Sequence, residues 1–211
     1  GMQQVEEIEY GRQVWNDNSE AANAEAKRRA EWTRDHPDAD VRQAIWFSDL
    51  GALTVLPQEL AEIDGLKRLS VGDGQTPDGR SHILEKWIEN WTVLLQLPEL
   101  KELYLSDTGL DDISVVRNCT KLVSLDIRYF KGEELGPLSG LSALSNLNLG
   151  STPVSDLDPL SGLSALSSLS LDGTRVSDFG PLSGLSALSS LSFGNTQVSD
   201  LGPLSGLSAL S

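Results

Sequence analysis

The C-terminal third of the sequence repeats itself every 22 residues. One leucine of each copy marks the period: Leu144, Leu166, Leu188 and Leu210. Counting back in the same steps reaches Leu122 and Leu100, where the leucine pattern is kept while the other residues diverge. A fixed period of this length is typical of a solenoid, in which each unit stacks on the next. The repeat therefore predicts a hydrophobic core that exists only as a stacked array.

Each repeat predicts a short strand followed by a tight return segment. Leu147 and Leu149 alternate with polar residues, so both face one side of a strand. The next apolar residues recur every third position past Pro159 and Gly162, which indicates a 3₁₀-like turn rather than a full helix. Each coil covers the apolar side chains of its neighbour, and burying one Leu or Val stabilises the fold by about 1.5 to 3 kcal/mol. We expect the strands to form a parallel sheet that lines a concave face.

Two polar columns keep the same period. One column consists of Thr152, Thr174 and Thr196. It is expected in the turn that leaves the strand, where a hydroxyl can bond to the backbone of a neighbouring coil. The other column consists of Asp156, Asp178 and Asp200. It is expected to accept backbone N–H groups where the return segment begins, as at a helix N-cap. One carboxylate per coil falls short of the roughly six to eight oxygens that calcium needs, so no metal site is predicted.

The skeleton LxxLxLxxTxVxDLxPLxxL resembles the leucine-rich repeat family, and its 22-residue length with the Asp-Leu-x-Pro-Leu tail resembles the internalin type. The resemblance covers about residues 41–211. Threonine replaces the usual Asn of the turn, and Phe130 replaces it in one diverged unit. The segment from Leu53 to Leu60 is closer to the LPxxL form of secreted bacterial effectors. The resemblance implies an α/β fold, a right-handed solenoid with a parallel β-sheet on the concave face, and protein binding on that face.

Residues 1–40 differ in composition from the repeats and predict an N-terminal helical cap on the solenoid of residues 41–211. Residues 19–35 begin with Ser19 as an N-cap and are rich in Ala, Glu, Lys and Arg, which favours a helix. An earlier short helix is predicted around residues 4–15. The side chains expected to cover the first coil are Val14, Trp15, Ala22, Ala26, Ala30 and Trp32.

A helical insertion is predicted at about residues 73–95, where one repeat is 34 residues long. Its apolar residues recur at spacings of three and four, as in an amphipathic helix: Ile83, Leu84, Trp87, Ile88, Trp91 and Leu95. We expect the two tryptophans to pack on the convex side of the core. The alternative is a ridge that docks a partner.

The array shows no cap after its last coil in this sequence. Leu191 and Phe193 are expected to form an unpaired strand edge, and Val198, Leu201 and Leu204 to be thinly covered. A longer native chain or a folded-back last half-coil would protect these side chains. We favour end-to-end association into a homo-oligomer.

Composition excludes several classes of partner. The chain has 16 basic and 31 acidic residues, a net charge of -15, which disfavours a surface that neutralises nucleic acid phosphates. Its apolar runs are far shorter than the roughly 18 residues that span a bilayer. The sequence after Met2 has no basic and apolar signal segment, so the expected location is cytoplasmic, with secretion as an effector as the alternative.

The sequence predicts no active site. Cys119 aligns with an inward-pointing leucine and is expected to be a small buried apolar residue. His36 and His82 lie in different segments with no reason to meet this cysteine, so a nucleophilic triad has no support. No cofactor, metal or enzyme activity is predicted.

The expected concave face differs between the diverged and the uniform repeats. The early strands place large side chains there: Trp46, Arg68, Glu102, Tyr104, Asp126 and Arg128, with Tyr129 at the strand exit. Aromatic and arginine side chains dominate binding energies, so these residues are the predicted partner-binding site. The late strands offer small groups such as Asn146, Ser168 and Ser190, which are typical of a spacer.

The predicted function is a non-catalytic protein interaction module that binds an unidentified protein, mainly through the diverged half. One alternative is the recognition part of a larger bacterial effector whose catalytic domain is absent from this chain. Another is a self-associating structural array, because the late coils are nearly identical.

Overall fold

The computed structural model describes residues 19–36, 44–47, 50, 52–72 and 88–210. Within these residues the chain forms one α-helix, seven short strands and seven 3₁₀ segments. The strands build a single sheet whose spatial order follows the sequence, and every neighbouring pair is parallel. The predicted helix at residues 4–15 and the insertion through Trp87 lie outside the described residues.

Each strand is three residues long and places one inward side chain between two outward ones. The strands are β1 Ala44–Trp46, β2 Arg68–Ser70, β3 Glu102–Tyr104, β4 Ser124–Asp126, β5 Asn146–Asn148, β6 Ser168–Ser170 and β7 Ser190–Ser192. Their central residues lie opposite one another in the register, from Ile45 through Leu191. This ladder faces the core, and the first and third residues of each strand face the other side, here called the outer sheet face.

The return segments are 3₁₀ helices, as predicted. They cover Gln58–Glu62, Thr92–Gln96, Ile113–Val116, Gly136–Leu138, Asp158–Leu160, Gly180–Leu182 and Gly202–Leu204. The aspartate column also has its predicted role. Asp156 accepts the N–H of Asp158 at 2.8 Å, and Asp178 and Asp200 accept the equivalent N–H groups at 2.7 and 2.8 Å. Each carboxylate thereby fixes the entry into its return segment.

The threonine column bonds differently from the prediction. The Thr152 hydroxyl donates to the carbonyl of Leu149 at 2.7 Å, and Thr174 donates to Leu171 at 2.7 Å, so each closes a turn within its own coil. The neighbouring coil already uses its backbone groups in the sheet, where for example the N–H of Leu149 donates to Ser170. A carbonyl three residues back is therefore the acceptor within reach of the buried hydroxyl.

The N-terminal cap is helix α1, Ser19–Asp35. Ala22, Ala26 and Ala30 are fully buried in the common core, because alanines four residues apart let the helix lie close to the first coil. The expectation for Trp32 was wrong: its side chain is 47% exposed. Its ring stacks on His36 with 4.4 Å between ring centroids, on the side of the helix away from the alanines.

The described part of the predicted insertion is not an amphipathic helix. Ile88 and Glu89 donate their N–H groups to Thr108 and Thr54 of neighbouring coils, at 3.4 and 2.8 Å. A 3₁₀ segment begins only at Thr92. Over a short window, apolar spacings of three and four residues fit a 3₁₀ helix as well as an α-helix. The hydrogen bonds of Ile88 and Glu89 to neighbouring coils hold the backbone before Thr92 outside a helix. Trp91 packs partly buried against the core.

The end of the array, from β7 onward, is thinly covered, as expected. Leu191, Phe193, Val198 and Leu204 are only partly buried, and Leu201 is 51% exposed. In the described part of the chain, no helix is long and apolar enough to cross a membrane.

Candidate functional site

The outer sheet face carries two polar clusters on β2 to β4. Arg68 and Glu102 are direct neighbours in the register, and Asp126 ends β4 two residues before Arg128. The strands thus bring together five of the seven residues that the sequence assigned to a binding site: Arg68, Glu102, Tyr104, Asp126 and Arg128. Trp46 lies on the edge strand β1, and its carbonyl accepts a hydrogen bond from Arg29 of α1 at 2.8 Å.

The first cluster is centred on the Glu102 carboxylate. Arg68 donates from Nη2 to its Oε1 at 2.7 Å and lies 2.6 Å from its Oε2. The Tyr104 hydroxyl donates to Oε2 at 3.0 Å. The hydrogen bond from Arg68 holds the pKa of Glu102 below its ordinary value. Burial, followed by the bond to the carboxylate, raises the pKa of Tyr104. The carboxylate is therefore ionised and the phenol neutral at physiological pH.

The second cluster is centred on Asp126, whose side chain is 14% exposed. Ser106 donates to its Oδ1 at 2.6 Å, and the backbone N–H of Arg128 donates to the same oxygen at 3.1 Å. The Arg128 Nε donates to both carboxylate oxygens at 3.1 Å, and Nη2 lies 3.0 Å from Oδ2. These bonds fix both side chains, so the arginine is held in one orientation.

The two clusters balance each other electrically. Arg68 and Arg128 carry two positive charges against the two negative charges of Glu102 and Asp126, which gives no net charge. The arginine side chains remain 42% and 33% exposed, so each presents a polar edge to solvent. This part of the face is polar, rigid and locally neutral within a strongly acidic chain.

Tyr129 lies in a column of left-handed backbone that the sequence analysis did not identify. Five residues at successive 22-residue steps have positive φ, at 54°, 61°, 57°, 70° and 57°: Asp107, Tyr129, Ser151, Gly173 and Asn195. Glycine, asparagine and aspartate tolerate this conformation best, and a bulky aromatic residue tolerates it poorly. The tyrosine is also 44% exposed, so no burial offsets the strain. The Gly and Asn in this column were the available sequence signal.

The late strands present no comparable cluster among the described residues. After β6, the Asp172 carboxylate accepts the N–H of Gly194 and the hydroxyl of Ser192, both at 2.5 Å. It therefore ties the chain after β6 to the edge strand β7.

Cys119 has the surroundings predicted for it. The thiol is fully buried, and burial raises its pKa to about 11. The reactive thiolate is therefore scarce at neutral pH. No group of three or more His, Cys, Asp or Glu residues in the described ranges could hold a metal ion. His82 lies outside those ranges.

Comparison with known proteins identifies the architecture. No protein-family model and no curated protein matches the sequence. A crystal structure of internalin C2 from Listeria monocytogenes is similar over 90% of this chain and 90% of that chain, with a TM-score of 0.66 and 23% sequence identity. A leucine-rich repeat protein from Leptospira interrogans is similar over 78% of this chain and 43% of that chain, with a TM-score of 0.63 and 22% identity. The chain therefore has the fold of an internalin-like leucine-rich repeat solenoid.

Proposed function

We propose that this chain is a non-catalytic protein-binding module whose partner contacts the outer sheet face from β1 to β4. The observation that carries the proposal is the pair of hydrogen-bonded clusters around Glu102 and Asp126. Their side chains are already ordered, so binding loses less conformational entropy than it would at a flexible surface. The fold also supports the proposal, because its resemblance to leucine-rich repeats implies protein binding on the concave face.

The distribution of large side chains supports this location. Trp46, Tyr104, Arg128 and Tyr129 belong to the residue types that contribute most to binding at interfaces. All four belong to the diverged half, with Tyr129 at the exit of β4. The equivalent positions of β5 to β7 carry asparagine and serine, which bury little area.

The test is capture of a partner by a triple variant, Trp46→Ala, Tyr104→Ala and Arg128→Ala. The control is Asn146→Ala, Ser168→Ala and Ser190→Ala, which changes the uniform half of the same face. We expect the first variant to lose the protein that the wild type captures, and the control to retain it. Both should keep a cooperative thermal unfolding transition. Equal capture by the two variants contradicts the proposed site.

A second proposal concerns the thinly covered end. In this chain β7 pairs with β6 on one side, and Leu201 is half-exposed beyond it. A second copy that covers this end would bury the apolar residues of both chains. Sedimentation velocity should show a concentration-dependent dimer for the wild type and a monomer for Leu201→Asp. A wild type that stays monomeric at high concentration contradicts the proposal.

A further inference from the structure

Two buried polar groups on β2 have no hydrogen-bond partner. They are the Nε of Arg68 and the hydroxyl of Ser70. The two residues are the first and third of the strand, so both side chains start from the outer sheet face. An unsatisfied buried polar group is costly, and most such groups in folded proteins are paired. The contrast with Arg128 is direct, because its Nε donates to both oxygens of Asp126.

We infer that these two groups receive one neutral hydrogen-bond acceptor, a main-chain carbonyl in an extended segment of the protein partner. The inference rests on the proposed function. An arginine Nε–H only donates, and a serine hydroxyl can donate, so both match the two lone pairs of one carbonyl oxygen. Strand β2 therefore pairs Arg68 with Glu102 through Nη2 and leaves Arg68 Nε and the Ser70 hydroxyl as donors for a ligand.

Charge decides between a carbonyl and an anionic group. The arginine is already paired with Glu102, and the chain as a whole carries a net charge of -15. The site itself is neutral, so a carboxylate or phosphate would find no uncompensated cation there and would be repelled by the negative charge of the whole chain. A main-chain carbonyl offers the same lone pairs without that repulsion.

The neighbours of Ser70 define how the segment lies. In the register, Ser70 pairs with Trp46 on one side and Tyr104 on the other. The serine is thus a small residue between two partly exposed aromatic ones, and a chain above it contacts both rings. Because Ser70 is fully buried, an adjacent side chain moves when the carbonyl arrives. Rotamer changes of this kind are common at interfaces.

A titration with N-methylacetamide, which carries the carbonyl of a peptide bond, tests the inference on the whole chain. NMR follows the Nε–H resonances of Arg68 and Arg128, and the variants R68K and R128K assign them. We expect the amide to shift the Arg68 resonance along a saturating curve and to leave the Arg128 resonance unchanged. Sodium acetate should shift the Arg68 resonance less than the amide does. An unmoved Arg68 resonance, equal shifts at both arginines, or a larger response to acetate overturns the inference.

Ser70→Ala separates this role from a structural one. The substitution removes an unsatisfied hydroxyl and breaks no hydrogen bond, so the Tm should stay the same or rise. Affinity for the captured partner should fall about three- to tenfold, the range of one lost neutral hydrogen bond. Ser170→Ala, at the equivalent position of β6, should bind like the wild type. Unchanged affinity in Ser70→Ala, with binding still lost in the triple variant, contradicts this inference and leaves the proposed function standing.

Discussion

The two halves of the sheet have the same interior and different exteriors. The inward ladder continues through Leu103, Leu125, Leu147 and Leu169 without a change of residue. Outside it, β2 to β4 carry the arginine and carboxylate clusters, whereas β5 to β7 carry asparagine and serine. In a solenoid the stacked inward side chains form the shared core, so the outward positions of the sheet can vary with less effect on the fold. The difference between the halves therefore points to function rather than to folding.

The largest losses of stability should come from substitutions in the shared core, and they should be equal in the two halves. Leu125→Ala and Leu169→Ala each truncate a leucine that is 1% exposed. We expect each to lower the free energy of unfolding by about 3 kcal/mol, within the range for leucine to alanine in cores. Urea denaturation of both variants measures this. A loss below about 1 kcal/mol in one half only would show that the two interiors differ in stability.

Two glycines at equivalent positions of their coils, Gly72 and Gly150, should distinguish the halves. A Cβ on Gly72 would lie 1.8 Å from the backbone oxygen of Ser106, whereas one on Gly150 would lie 3.2 Å from the movable side-chain oxygen of Asn148. We expect Gly72→Ala to destabilise the chain by about 2 kcal/mol or more, and Gly150→Ala by less than about 1 kcal/mol. Thermal unfolding of the two variants gives the comparison. Equal losses would contradict the close approach of β2 and β3.

The left-handed column offers a pair of opposite substitutions. Tyr129→Gly should raise stability by about 1 kcal/mol, because glycine adopts a φ of 61° without steric strain. Gly173→Tyr should lower it by a similar amount, since its Cβ meets only ordinary contacts and the strain remains. Denaturant titrations measure both. If Tyr129→Gly also weakens partner capture, the strain is maintained for binding; a stable variant with full capture removes Tyr129 from the proposed site.

The smallest effect concerns pH. Because Arg68 lowers the pKa of Glu102 in the folded chain, the ionised carboxylate contributes stability that is lost as the pH falls through that lowered value. The pair is partly exposed, so the contribution should be under about 1 kcal/mol. Stability measured from pH 7 down to about pH 3 should therefore fall less in Glu102→Gln than in the wild type. Asn146→Gln, at the same register position of β5, should follow the wild-type profile. Identical profiles in all three proteins would contradict a stabilising ion pair.

The sequence predicted what the period controls. Each confirmed feature follows from a residue position that recurs at a fixed spacing. These features are the inward ladder, the 3₁₀ return segments, the aspartate caps and the burial of Cys119. The confirmed parts of the fold are of this kind. The grouping of Arg68 with Glu102 also follows from counting, because equivalent positions of adjacent coils become neighbours.

What depends on local geometry could not be predicted. The threonine hydroxyls bond within their own coils because the backbone groups of the neighbouring coil are paired in the sheet, and the sequence alone does not show which carbonyl lies within reach. Trp32 is exposed because α1 packs on the core through the side that carries Ala22, Ala26 and Ala30. The missing partners of Arg68 Nε and Ser70 became visible only in three dimensions, since a sequence shows that a donor exists but not whether an acceptor is near.

Hydrogen exchange of the complex with the captured partner tests most directly the claim that one half binds while both halves fold alike. Amide protection should increase in residues 102–106 and 124–129, and residues 146–148, 168–170 and 190–192 should exchange as in the free chain. Added protection confined to the late strands, or spread evenly along the sheet, would contradict the claim.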